Sequence, residues 1–117
     1  MTRVKFSADE KGLYVFEIGG HSSKDGDDEV GKIVCAAVSS AAYMAANTVT
    51  DVIGDKAEAF IDDAELRFYV KVPSICTVKV LAGLRLHLTE LSEQYGSNIT
   101  IHGGAKNASD YHSVIRS

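Results

Sequence analysis

Val4 and Phe6 alternate with Arg3, Lys5 and Ser7, the period-two pattern of a strand with one buried face. Asp9-Glu10-Lys11-Gly12 reads as a turn, and residues 13–18 read as a second strand. That run is apolar on both sides, Leu13 and Val15 against Tyr14, Phe16 and Ile18, which predicts a place inside the sheet. Residues 19–32 read as a loop, rich in glycine (Gly19, Gly20, Gly26, Gly31) and in acid (Asp25, Asp27, Asp28, Glu29). A structureless loop of that length in a compact domain is often functional. From residue 33 to about residue 53 the pattern turns helical. Six alanines fall within residues 36–46, and the segment is apolar around most of its circumference, so it predicts a buried helix. Gly54 stands where a left-handed cap would end it.

Two further strands follow over residues 57–62 and 66–72. In the second, Leu66, Phe68, Val70 and Val72 alternate with Arg67, Tyr69 and Lys71. Ser74 is an N-cap for a second helix. Its apolar stripe is Ile75, Val78, Leu81, Leu84, Leu88, Leu91 and Tyr95, at three- and four-residue spacing, and Gly96 stops it. Residues 99–101 make a short last strand. The order is β-β-α-β-β-α-β. It predicts an α/β fold: one domain, a two-layer sandwich of a mixed sheet of about five strands with both helices on one face. The domain is placed at residues 1–102, and residues 103–117 read as a polar C-terminal tail.

Composition narrows the partners. The chain has 117 residues, 45% hydrophobic, with a net charge of −4. This suits a globular core and gives no electrostatic footprint for nucleic acid. A cationic partner fits the charge better. The two cysteines are too few for a disulfide scaffold and point to a reducing compartment. The start of the chain lacks a signal peptide's apolar core, and no uninterrupted apolar run approaches the roughly eighteen residues that cross a bilayer. The expectation is a cytoplasmic protein with no membrane association.

The candidate chemistry lies in one stretch. His21 sits in the glycine-rich loop, and Cys35 follows fourteen residues later near the expected helix start. A helix N-terminus and a nearby imidazole both lower a thiol pKa, and histidine is a general base near neutral pH. Packing is the ordinary role of a cysteine and solvent exposure that of a loop histidine. Cys76 also lies near a helix start but has no adjoining histidine, so it is expected to pack. His87 is expected on the polar side of the second helix or at a helix contact. His102 and His112 carry no motif. Asp25, Asp27 and Glu29 alternate, but the calcium-loop pattern with its closing glutamate is missing, and His21 with Cys35 is too few ligands for zinc. No phosphate-cradling lysine follows Gly19-Gly20. No metal and no cofactor is expected.

Gly20-His21, a loop, and then Ile33-Val34-Cys35-Ala36-Ala37-Val38-Ser39 resemble the ribosomal-processing cysteine protease family, Prp. Length and element order resemble it over the whole chain. The resemblance implies a homodimeric cysteine endopeptidase, with Cys35 as nucleophile and His21 as base. It would trim the N-terminal extension of ribosomal protein L-twenty-seven beside aromatic residues. Gly20, Asp27, Asp28, Lys32 and Ser39 are candidates to line the site or bind substrate. Ser39 shares a helical face with Cys35, and the acidic Asp27-Asp28 pair suits a basic substrate. The chain departs from the family in two ways. Lys32 stands where the family has an aspartate, and the interval from histidine to cysteine is a couple of residues longer. Two other classes of function stay open: a non-catalytic ribosome-assembly factor that binds a ribosomal protein, and a thiol redox sensor.

Overall fold

The computed structural model describes residues 1–9, 12–20, 29–62 and 65–103. Its elements are β1 (Thr2–Asp9), β2 (Gly12–Gly19), α1 (Glu29–Asn47) with a π-helical turn (Thr48–Ile53), β3 (Ala57–Ile61), β4 (Glu65–Val70), α2 (Ile75–Gln94) and β5 (Ile99–Gly103). The strands form one sheet in the order β3-β4-β2-β1-β5. β1–β2, β2–β4 and β3–β4 are antiparallel and β1–β5 is parallel, so the sheet is mixed, as expected. β2 lies in the interior, between β4 and β1. The expected tail beyond Gly103 lies outside the described residues.

The period-two pattern decides which face is buried. Val4 and Phe6, Phe16 and Ile18, Leu66, Phe68 and Val70, and Ile99 all point to the side that both helices cover. α1 contributes Val34, Val38, Ala42 and Ala45, and the π turn adds Val49. α2 contributes Leu81, Leu84 and Leu88. Three aromatic rings run through the core's centre, with Phe16 6.2 Å from Phe6 and stacked at 5.2 Å on Phe68. The opposite face carries Arg3, Lys5, Glu17 and Arg67, with an Arg67–Glu17 ion pair at 3.5 Å.

Several expectations are corrected. α1 begins at Glu29, four residues before the expected start. Gly31, whose helix propensity is about 1 kcal/mol poorer than alanine's, lies buried within the first turn. The last turn of this helix is π rather than α. There the Thr48 and Thr50 hydroxyls donate to the Met44 and Ala46 carbonyls at 2.7 and 3.2 Å, a local competition with the backbone ladder. Gly54 does cap it, with φ 91° and its N–H donating to the Val49 carbonyl. The continuous Glu29–Ile53 run, 25 residues at mean hydropathy 1.4, is long and apolar enough by length and composition to cross a membrane. Counting uninterrupted apolar residues misses this; here its Val34–Val38–Ala42–Ala45–Val49 stripe is packed in the core.

Ser74 caps α2 by accepting the Thr77 N–H at 3.3 Å. The buried stripe starts at Thr77, whereas Ile75 is 75% exposed. β4 stops at Val70, leaving Val72 exposed. β5 runs to Gly103, whose carbonyl accepts the Arg85 Nε–H at 3.1 Å.

Candidate active site

The site has two supports, the end of β2 and the first turns of α1. Gly20 directly follows β2 with φ 74°, a conformation that favours glycine. A Cβ there would lie 2.8 Å from the Arg3 guanidinium and 2.9 Å from the Met1 carbonyl. The chain therefore leaves the sheet beneath Arg3, at a point where only glycine fits unstrained. His21, which follows it, lies outside the described residues, as do Asp27 and Asp28.

On α1, Cys35 is half-buried, one residue beyond fully buried Val34 and three before Val38. It sits on the rim of the core stripe, with its side chain part in the protein and part in solvent. Ser39 follows one turn later and is also half-buried, while Lys32, one turn earlier, is exposed. Cys35, Ser39 and Lys32 thus share one side of the helix at i+4 and i−3 spacing.

The helix start at Glu29 changes the electrostatics expected for the thiol. Cys35 is the seventh residue of the helix, in its second turn rather than its first. At that depth a backbone amide belongs to the i→i−4 ladder of the helix. The dipole contribution is largest in that first turn and falls off beyond it. Direct help from helix-start amides at Cys35 is therefore smaller than the sequence suggests. The nearest fixed cation along the helix is Lys32.

The other candidates separate. Cys76 is exposed at the start of α2 rather than packed, because the helix turns Thr77 inward instead. His87 is exposed and lines a groove of about 250 Å³ between α1 and α2, with Met44, Thr48, Val80 and Gly83 among its walls. This fits a polar position at a helix contact. His102 lies on the exposed side of β5, beside Lys5 in the register. His112 lies outside the described residues. Among the described residues no cluster of three His, Cys, Asp or Glu side chains could hold a metal.

Arg3 is the residue that sequence reasoning missed. It reads as an ordinary outward residue of β1, and only the Arg3–Gly19 pairing brings it over Gly20. No spacing along the chain signals that contact.

The chain matches the family model for cysteine protease Prp over residues 1–100. No curated protein matches it. Among solved structures it is similar to the ribosomal processing protease Prp from S. aureus in complex with a substrate peptide. That match has TM-score 0.79 and 17% identity over 88% of this chain and 99% of that one. The same S. aureus protease with a covalently linked product peptide matches at TM-score 0.74 and 18% identity, covering 88% and 99%. SMU.848 from Streptococcus mutans matches at TM-score 0.78 and 18% identity, covering 88% and 96%. At these identities the solved structures speak for the shared sandwich fold.

Proposed function

The chain belongs to the cysteine protease Prp family, and on that premise we propose that it is an endopeptidase that removes the N-terminal extension of ribosomal protein L-twenty-seven through a Cys35–His21 dyad. The observation that carries this reading is the family match over residues 1–100, which spans both residues. Cys35 suits the role by its place, half-exposed on a helix anchored in the core at Val34 and Val38.

In this mechanism His21 takes the thiol proton, and the Cys35 thiolate attacks the scissile carbonyl carbon. The tetrahedral intermediate collapses as His21 gives its proton to the amide nitrogen. The C–N bond breaks, leaving a thioester and a free amine. Water then attacks the thioester, with His21 taking its proton, and the carboxylic acid leaves as the thiol re-forms. Lys32 and Ser39 flank the sulfur on the helix.

The reading has a direct test. A peptide carrying the aromatic-rich extension is mixed with the native chain and with Cys35→Ala, and the products are weighed by mass spectrometry. Cleavage at one bond by the native chain alone is the expected result. Absence of cleavage by both, with binding retained, supports the second reading, a ribosomal-protein-binding factor. The observation favouring that second reading is Lys32, which stands exposed where the family carries an acid.

We also propose a homodimer and a cytoplasmic location. The outer side of α1 leaves Ile33 65%, Tyr43 44% and Met44 68% exposed, an apolar strip suited to a second copy. Two cysteines with no disulfide between them suit a reducing compartment. Sedimentation equilibrium of the native chain and of Met44→Lys tests the dimer, with loss of the dimer expected in the variant.

A further inference from the structure

β3 is one of the two edges of the sheet, and its pattern is unusual for an edge. Natural edges are blunted by lysine, proline, bulges or brevity. Here Ala57-Glu58-Ala59-Phe60-Ile61 has one charged residue, no proline and an unbroken register with β4. Phe60 is 61% exposed on the open face of the sheet, and Ile61 is 60% exposed on the other. Among the described residues no strand pairs with the outer side of β3.

The backbone direction follows from one hydrogen bond. Asp62 N–H donates to the Glu65 carbonyl at 3.0 Å, which makes Asp62–Glu65 a bonded pair of the antiparallel ladder. By alternation Phe60 and Glu58 also turn their backbone groups to β4, and Ala57, Ala59 and Ile61 turn theirs outward. Those outward groups are a template for an added strand.

The location connects this edge to the site. Ile61 pairs with Leu66, Leu66 with Ile18, and Glu65 with Gly19. The Phe60–Ile61 end of β3 thus lies at the end of the sheet where Gly20 leads into His21. An added strand would lie three strand spacings from β2, about 14 Å, a gap that roughly five extended residues span. The carboxylates around this end are Glu58, Asp62 and Glu65, all exposed; the one described cation there, Arg67 opposite Phe60, is engaged by Glu17 at 3.5 Å, and Lys56 lies at the far end of the strand.

We infer that the free edge of β3 docks an extended peptide segment, apolar where it meets Phe60 and Ile61 and basic where it passes Glu58, Asp62 and Glu65. This rests on the peptidase reading, and assigns to it a second contact that holds the substrate away from the scissile bond. Backbone bonds to Ala59 and Ile61 supply the affinity, and the two apolar side chains and the carboxylates supply the preference.

The test uses the full chain as Cys35→Ala, so that nothing is cut. The probe is a peptide with a Phe-Val-Phe-Val run followed by lysines. Amide hydrogen exchange at Ala59 and Ile61 is expected to slow on adding the peptide, while Phe60 and Glu58, already bonded to β4, change little. Ala59→Pro removes an outward donor and leaves the ladder bonds in place. Ile61→Lys removes the apolar contact and adds a like charge to the basic probe. Each is expected to weaken peptide binding by about tenfold or more. A probe with glutamates in place of lysines is expected to bind more weakly. Unchanged exchange at Ala59 and Ile61 overturns the inference. So does slowing that appears without peptide as the chain is concentrated, which assigns the edge to a second copy. So does equal binding of the acidic probe. Cleavage by the native chain is read separately: cutting without edge protection sinks the docking alone, and edge protection without cutting sinks the peptidase alone.

Discussion

The carboxylate of Asp55 accepts the Thr77 hydroxyl at 2.5 Å, reaching across 22 residues of sequence to the first turn of α2. The same oxygen accepts the Ser74 backbone N–H at 2.8 Å. Asp55 thereby ties the turn after the π segment to the start of α2, beside the N-cap that Ser74 provides. A negative charge at a helix N-terminus is favourable in its own right.

The hydrogen bonds from Ser74 and then Thr77 hold the Asp55 carboxyl below the ordinary carboxylate range. A group whose folded pKa is depressed stabilises the fold above its unfolded pKa and loses that contribution as pH falls through the folded value. Asp55→Asn keeps an acceptor but removes the charge, so its Tm should be lower than native at pH 7. The gap should close as pH falls below about 4. Asp55→Ala should lose more than Asp55→Asn at pH 7. Thermal melts across pH check both.

Phe68 stacks on Phe16 at the centre of the core and is 2% exposed. Phe68→Ala should cost about 3–5 kcal/mol, the usual range for a buried aromatic. Phe60→Ala, on the exposed face, should stay within about 0.5 kcal/mol of native. Denaturant midpoints of the two variants separate them.

Gly20 combines a positive φ with a close approach to two neighbours. Gly20→Ala should lower both Tm and the rate of peptide cleavage. Adding Arg3→Ala should recover only part of the loss. It clears the guanidinium but leaves the backbone strain and the Met1 carbonyl. Full recovery would show that Arg3 was the whole obstacle.

Lys32 stands one turn before Cys35 on the same side of α1. If the family's acid at this place orients His21, Lys32→Asp should raise kcat with little change in KM. His21→Ala should lower kcat by about 10²–10⁴-fold in either background, the usual worth of a general base. Steady-state kinetics on one peptide decide the point, and a Lys32→Asp variant slower than native would assign the lysine a supporting role.

Asp27 and Asp28 test whether charge steers a basic substrate. Replacing both by Asn should slow cleavage of a lysine-rich peptide more at low salt than at high, because screening removes the effect. Equal slowing at both salt concentrations counts against steering.

Local pattern alone determined much of this protein. Alternation in β1 and β4, the alanine-rich face of α1 and the caps at Gly54 and Ser74 all act between residues a few positions apart. Propensity and capping are energies of that range. The stretch around Cys35 carried the family resemblance because a motif is itself a local pattern. The tertiary structure decided the rest. It started α1 at Glu29, with Gly31 buried in the first turn. It put Arg3 over Gly20, aimed Asp55 at Ser74 and Thr77, and left Phe60 and Ile61 uncovered. Each of these depends on which strands and helices become neighbours. That choice is made by burial summed over the whole core, and no window of sequence contains it.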